Sequence, residues 1–204
     1  MNQSTNEVLR PARRARYSRA MGRRTMPRSR KELIKRIHDA VLAAELHHKI
    51  YWIYKNRDDR AKYIDTMNKY VGFFASSIQA HFIALLVILY AVYERRRDTI
   101  NLVRLYEGCP ADLRAGLSTD FARAKAIWQK IAILRNNHFA HVSEHLEIDA
   151  VFDRARATYS EIKELIDIYK KLLNAVSYAE DRSSFADSLD SAKDTYRLLE
   201  KLRS

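Results

Sequence analysis

The chain has 204 residues, 47% hydrophobic and 30% charged, with a net charge of +12, a globular composition long enough to bury on the order of 70% of its unfolded surface. Only four glycines and three prolines occur, which excludes turn-rich β architectures and points to long helices. A single cysteine, Cys109, excludes an internal disulfide framework and a thiolate zinc site, and suits a reducing cytoplasmic setting.

In chain order, residues 1–29 form an arginine-rich arm. Through residue 30 there are nine arginines against one acid, Glu7, a local charge of +8 that leaves +4 for the rest. Pro11, Pro27 and the scarcity of large apolar residues predict a disordered segment. Its chemistry suits non-specific phosphate binding, each cation releasing a counterion. Met21 and Met26 offer alternative starts that would remove much of it. No apolar core of a secretory signal is present, although the arginine-rich, acid-poor make-up has the look of a transit peptide.

Residues 30–204 are expected to form one helical domain. Ser29-Arg30-Lys31-Glu32 is a capping box, and Leu33, Ile37, Val41, Ala44, His48 and Tyr51 recur at helical spacing up to about Tyr54. Asp58-Asp59 opens a longer helical region to about Arg96, in which Gly72 is the expected weak point. Its apolar run, Phe82–Tyr93, is shorter than the roughly 20 residues a membrane span needs. It ends in Glu94-Arg95-Arg96-Arg97 and reads as a core helix, apolar on too many sides for one small bundle to bury alone. A short helix over Thr99–Tyr106 stops at Gly108-Cys109-Pro110. After a linker containing Gly116, the pattern predicts a helix from about Ser118 to His141, with a stripe of Phe121, Ala124, Trp128 and Ile131 flanked by Ile127 and Leu134. From Ile148 to Val176 steps of three and four run through Val151, Phe152, Ala155, Tyr159, Ile162, Leu165, Ile166, Tyr169, Leu172 and Leu173, which predicts one unbroken amphipathic helix. Asp181–Ser184 breaks it, and a last helix carries Leu189, Ala192, Tyr196 and Leu199. No internal repeat and no strand pattern is present. The expected fold is all-α, an antiparallel helical bundle.

The candidate site is Arg135-Asn136-Asn137-His138-Phe139-Ala140-His141. Arg135 and His138 take positions that Trp128 and Ile131 prepare for apolar residues, with His141 beside them. A polar break in a core stripe is expected at a functional site. Histidine exchanges protons near neutral pH, and a guanidinium offers a planar fork of donors to a phosphate.

This segment resembles the signature of the HEPN superfamily (higher eukaryotes and prokaryotes nucleotide-binding), Arg, four to six residues, His. The form Arg-Asn-x-x-Phe-Ala-His, after a long apolar helix and a short polar-apolar one, is most similar to the abortive-infection U-type branch. The resemblance spans roughly residues 31–180. It implies a bundle that dimerises with the two motifs around a shared cleft, and a metal-independent endoribonuclease of phage-defence or toxin–antitoxin type, with a cognate antitoxin protein as a partner besides RNA. Carried over residue by residue, Arg135 is the motif arginine, Asn136 the polar residue after it and His141 the motif histidine. The implied reaction is attack of a ribose 2′-OH on the adjacent phosphate, leaving a 2′,3′-cyclic phosphate. His138 is a candidate accessory residue, with satisfied helix-face histidine as the bland reading.

The alternative is a non-catalytic module that binds RNA, nucleotide or a partner protein, and a third reading gives the segment a structural role at the dimer contact. His141 and His145, four apart beside Glu144 and Glu147, lack a third fixed ligand, so no metal is expected. No glycine-rich loop or P-loop lysine is present, so no nucleotide cofactor is expected either. Tyr51-Trp52-Ile53-Tyr54 reads as packing in preference to a base-stacking surface. Cys109 has no assigned role.

Overall fold

The computed structural model describes residues 29–96, 99, 101–136, 153–181, 183–185 and 191–204. Residues 1–28 of the arm, the motif from Asn137 onward and the His141–Glu147 cluster lie outside the described residues. Those described form an all-α architecture without a strand among them. Its helices are α1 (Arg30–Lys55), α2 (Arg57–Lys69), α3 (Val71–Tyr93), α4 (Leu102–Glu107), α5 (Ala111–Leu134), α6 (Tyr159–Asp181) and α7 (Ser191–Arg203).

Local chemistry sets most of the boundaries. Ser29 Oγ accepts from the Glu32 amide at 3.2 Å, while the Glu32 carboxylate takes Arg36 at 2.6 Å. Asn56 ends α1 and caps α2, its Oδ1 accepting from the Asp59 amide at 2.9 Å. Asn101 caps α4 by accepting from the Arg104 amide at 2.9 Å, so the short helix starts at Leu102 and not at Thr99. Two glycine expectations are corrected. The break before the apolar helix falls at Tyr70 (φ −121°, ψ 43°), and Gly72 lies inside the first turn of α3. Gly116 is no linker either: α5 begins just after Pro110 and runs straight through it. One interior glycine costs about 1 kcal/mol, less than the packing of α5 returns.

The long helix expected from Ile148 is also corrected. A helical turn at 153–155 is separated from α6 by residues 156–158, with Arg156 at φ 46°. Thr158 and Glu161 then form a capping box: the Glu161 amide donates to Thr158 Oγ1 at 3.2 Å and the Thr158 amide to Glu161 Oε2 at 3.0 Å. The apolar period continues across this break because Ala155 and Ile162 both enter the core, so periodicity alone hid it.

Four helices, α1, α3, α5 and α6, close a ring in which neighbours are antiparallel. Tyr54 meets Phe74 and His47 meets His81 across α1 and α3. Trp128 meets Tyr90 and Phe121 meets Tyr93 across α3 and α5. Asp120 pairs with Lys171, Arg123 with Glu164 and Lys130 with Glu161 across α5 and α6. Lys31 pairs with Asp181 and Glu45 with Lys170 across α1 and α6. In each set the numbers rise on one helix as they fall on the other. The principal core lies inside this ring, around Ile37, Val41, Leu86, Leu89, Ile127, Ile131, Leu165 and Tyr169. A smaller cluster, with Ile53, Tyr63, Phe74 and Leu199, seats α7 on α1–α3.

The core reading of α3 holds for one face. Leu85, Leu86, Leu89, Val92 and Tyr93 are buried, whereas Phe73 is 58% and Val87 40% exposed. Among the described residues α3 is the one helix long and apolar enough, by length and composition, to cross a membrane, and 17% of that window is buried. Cys109 is packed: its thiol donates to the Leu105 carbonyl at 3.3 Å, and Arg30 reaches both the sulfur and the Gly108 carbonyl.

Candidate functional site

The α-helical ladder of α5 ends at Leu134, and the chain enters a wider π-helical turn at Arg135 and Asn136. Single turns of this kind recur at functional sites. Arg135 is half-buried and Asn136 exposed. The guanidinium carbon lies 4.8 Å above the ring of Tyr90 on α3, a cation–π contact worth about 0.5–1 kcal/mol. Arg135 Nη1 donates to Asn136 Oδ1 at 3.0 Å. One donor is thus used inside the motif, and a guanidinium carries five.

Tyr90 is itself fixed. Its carbonyl accepts from Trp128 Nε1 at 3.0 Å and its ring stacks on the indole at 5.3 Å. Rings continue inward from there: Trp128 against Tyr93, Tyr93 against Phe121, and Phe121 against Tyr106 at 4.0 Å. Arg135 therefore stands on an aromatic stack joining α3, α4 and α5. The Tyr90 hydroxyl lies 3.4 Å from Glu94 Oε1. Burial, and then the Glu94 charge, push that phenol above its ordinary value, with Arg135 and Arg96 acting in the opposite direction.

Lys130, five residues before the motif arginine, turns toward α6. Its ammonium donates to the Arg156 carbonyl at 3.0 Å and to Glu161 at 2.6 Å. It thereby ties α5 to the left-handed residue that interrupts the approach to α6. Burial raises the Glu161 pKa, but the hydrogen bonds from Lys130 and the Thr158 amide outweigh it and hold the carboxyl below its ordinary value.

Of the candidate residues, Arg135 and Asn136 are described, joined by their side-chain hydrogen bond. His138 and His141 lie outside the described residues. Among the described residues no group of three or more histidine, cysteine, aspartate or glutamate side chains is placed to hold a metal ion. Tyr51, Trp52 and Tyr54 pack on Phe82, Tyr159 and Phe74, as the packing reading expects. Tyr90 was not legible: it is one of twelve tyrosines, set in an apolar run far from Arg135 in the chain. His48 was read as a stripe position but is a buried imidazole, its ring stacked on Tyr159 with a centroid distance of 4.5 Å.

A family model described as AbiU2, of the HEPN group, matches residues 30–198. No curated protein and no solved structure matches. The match starts at the first residue of α1 and runs into α7, so it takes in the last helix, which the motif-based resemblance left out, and omits the arm. The chain belongs to the AbiU2 family of HEPN modules, an abortive-infection family.

Proposed function

We propose that this AbiU2-family HEPN module is a metal-independent endoribonuclease of a phage-defence or toxin–antitoxin system. The observation that carries the reading is Arg135: a half-buried guanidinium at the end of α5, set over the ring of Tyr90 and tied to Asn136. A cation fixed in advance stabilises charge developing on a phosphate without reorganising at the moment of reaction. In the proposed reaction His141 removes the proton from a ribose 2′-OH and the oxygen attacks the adjacent phosphorus. The bond to the 5′-oxygen breaks, that oxygen leaves with a proton, and a 2′,3′-cyclic phosphate remains. Arg135 holds the non-bridging oxygens, Asn136 orients Arg135, and His138 is an accessory to phosphate placement or to the second proton transfer.

The acting unit is proposed to be a homodimer whose two motifs face one cleft, restrained in the cell by a cognate antitoxin protein. Support for the dimer comes from α3, whose apolar residues Phe73 and Val87 stay exposed on the single chain.

The experiment compares wild type, Arg135→Ala and His141→Ala on total RNA in the presence of a chelator, with the 3′ ends assayed for cyclic phosphate. Cleavage by folded wild type alone is the expected result. Binding of RNA without cleavage by any of the three moves the assignment to a non-catalytic RNA-binding module. Cleavage of an all-deoxy analogue would refute the 2′-OH mechanism.

A further inference from the structure

The end of α3 and the start of α4 enclose an open cleft of about 420 Å³. Arg95, Arg96 and Arg104 line it, together with Asn101, Val103 and Glu107. Its floor is held by one buried side chain. Asn101 is 2% exposed, and its amide donates to the Arg96 carbonyl at 3.1 Å and to Thr99 Oγ1 at 3.2 Å. Its oxygen accepts from the Arg104 amide at 2.9 Å. A single asparagine thus fixes the backbone of two of the arginines, while Arg95, Arg96 and Arg104 are themselves exposed.

Two of the cleft's arginines, Arg95 and Arg104, carry charge that no acid among the described residues cancels. On α5 and α6, by contrast, Arg123 is matched by Glu164, Lys130 by Glu161, Lys171 by Asp120 and Lys170 by Glu45 of α1. Among the described residues no ion pair forms at Arg95 or Arg104. Glu107, the carboxylate among the described lining residues, pairs with neither.

The cleft is linked to the motif arginine through Tyr90. Arg135 rests on Tyr90, and Tyr90 feels the charge of Arg96 as well as that of Arg135. Arg95 and Arg96 follow the end of α3 at Tyr93, one turn beyond Tyr90, where the chain turns extended at Glu94. Several guanidinium groups lining one open groove suit a flexible polyanion, whose phosphates release counterions on contact.

We propose that this cleft is a phosphate-binding subsite for single-stranded RNA, in which Arg95 and Arg104 hold backbone phosphates flanking the one that Arg135 engages. The proposal rests on the ribonuclease reading insofar as it takes RNA as the polyanion, and it concerns binding, not chemistry.

The test is binding of a fluorescein-labelled RNA of about 20 nucleotides, 2′-O-methylated throughout so that no 2′-OH can attack. Affinity is measured by anisotropy across a salt series with the full chain. Each phosphate contact contributes about 0.7 to the slope of log K against log salt for single strands. The Arg95→Ala/Arg104→Ala variant should therefore lower the slope by about 1.4. The control is Arg57→Ala/Arg60→Ala, which removes the same charge from exposed positions on α2 and should leave the slope close to wild type. Equal slopes in wild type and the cleft variant overturn the subsite and leave the ribonuclease reading standing. Equal losses in both variants overturn it too, by reducing the effect to net charge. Wild type that binds no RNA at any salt overturns both the subsite and the RNA reading. Circular-dichroism melts matching wild type establish that both variants fold.

Discussion

Replacing His48 by phenylalanine tests the packing of the bundle through its pH dependence. His48 is 5% exposed, its Nε2 is buried without a hydrogen-bond partner, and its Nδ1 lies 3.4 Å from the Tyr159 hydroxyl. Desolvation, and then the nearby Lys163 charge, lower its pKa from 6.5 to about 4. Between those two values the unfolded chain binds a proton that the folded chain refuses. Stability therefore rises with pH across that window and is lost as the pH falls through it. Integrated from about pH 7 to about pH 4.5, this one group removes about 2 kcal/mol. Phenylalanine keeps a ring to stack on Tyr159 and has no proton to bind. Urea unfolding followed by far-ultraviolet circular dichroism at the two pH values should show a loss smaller by about 2 kcal/mol in His48→Phe than in wild type. Carboxylates titrate in both proteins, as do His47 and His81, which burial also lowers, so their contributions cancel in the comparison. Equal pH losses in the two proteins would refute the claim that His48 folds neutral and desolvated.

Two further outcomes follow from the packing. Val87→Glu places a charge on the exposed apolar face of α3 without touching the core, so it should turn a dimer into a monomer by light scattering at micromolar concentration while changing monomer stability by about 0.5 kcal/mol or less; wild type that is already monomeric would refute the shared-cleft arrangement. Ile131→Ala, at a fully buried position of α5, should cost about 2–4 kcal/mol in urea unfolding, and a loss under about 1 kcal/mol would refute the packing of α5 against the core.

The aromatic stack gives the motif a physical setting. Arg135 does not project freely from a helix end: it lies on Tyr90, which Trp128 fixes. The polar break in the apolar stripe of α5 is therefore a change of partner, from core side chains to the outer face of a ring. Trp128 marks the transition, half-buried with its indole N–H spent on α3.

What the sequence determined by itself is local. Ser29, Asn56 and Asn101 precede helices because a short polar side chain satisfies an amide that the helix leaves open. The long stripes fixed which faces of α1, α5 and α6 enter the core. Arg135 stood out because it interrupts such a stripe, whereas Asn136 was singled out by the family resemblance alone. The Thr158–Glu161 capping box was legible on the same principle, but periodicity favoured an unbroken helix because Ala155 and Ile162 face the core on both sides of the break. The glycines misled for the opposite reason, their modest local cost being outweighed by packing at Gly116 and unrelated to the break at Tyr70. Tertiary structure alone decided that Tyr90 lies beneath Arg135, that His48 folds without a partner for Nε2, and that Arg95 and Arg104 remain uncancelled while Arg123, Lys130 and Lys171 are matched by acids. Each of these depends on how far one helix is rotated and shifted against another, a choice made by the close packing of the whole core and not by the residues adjacent in the chain.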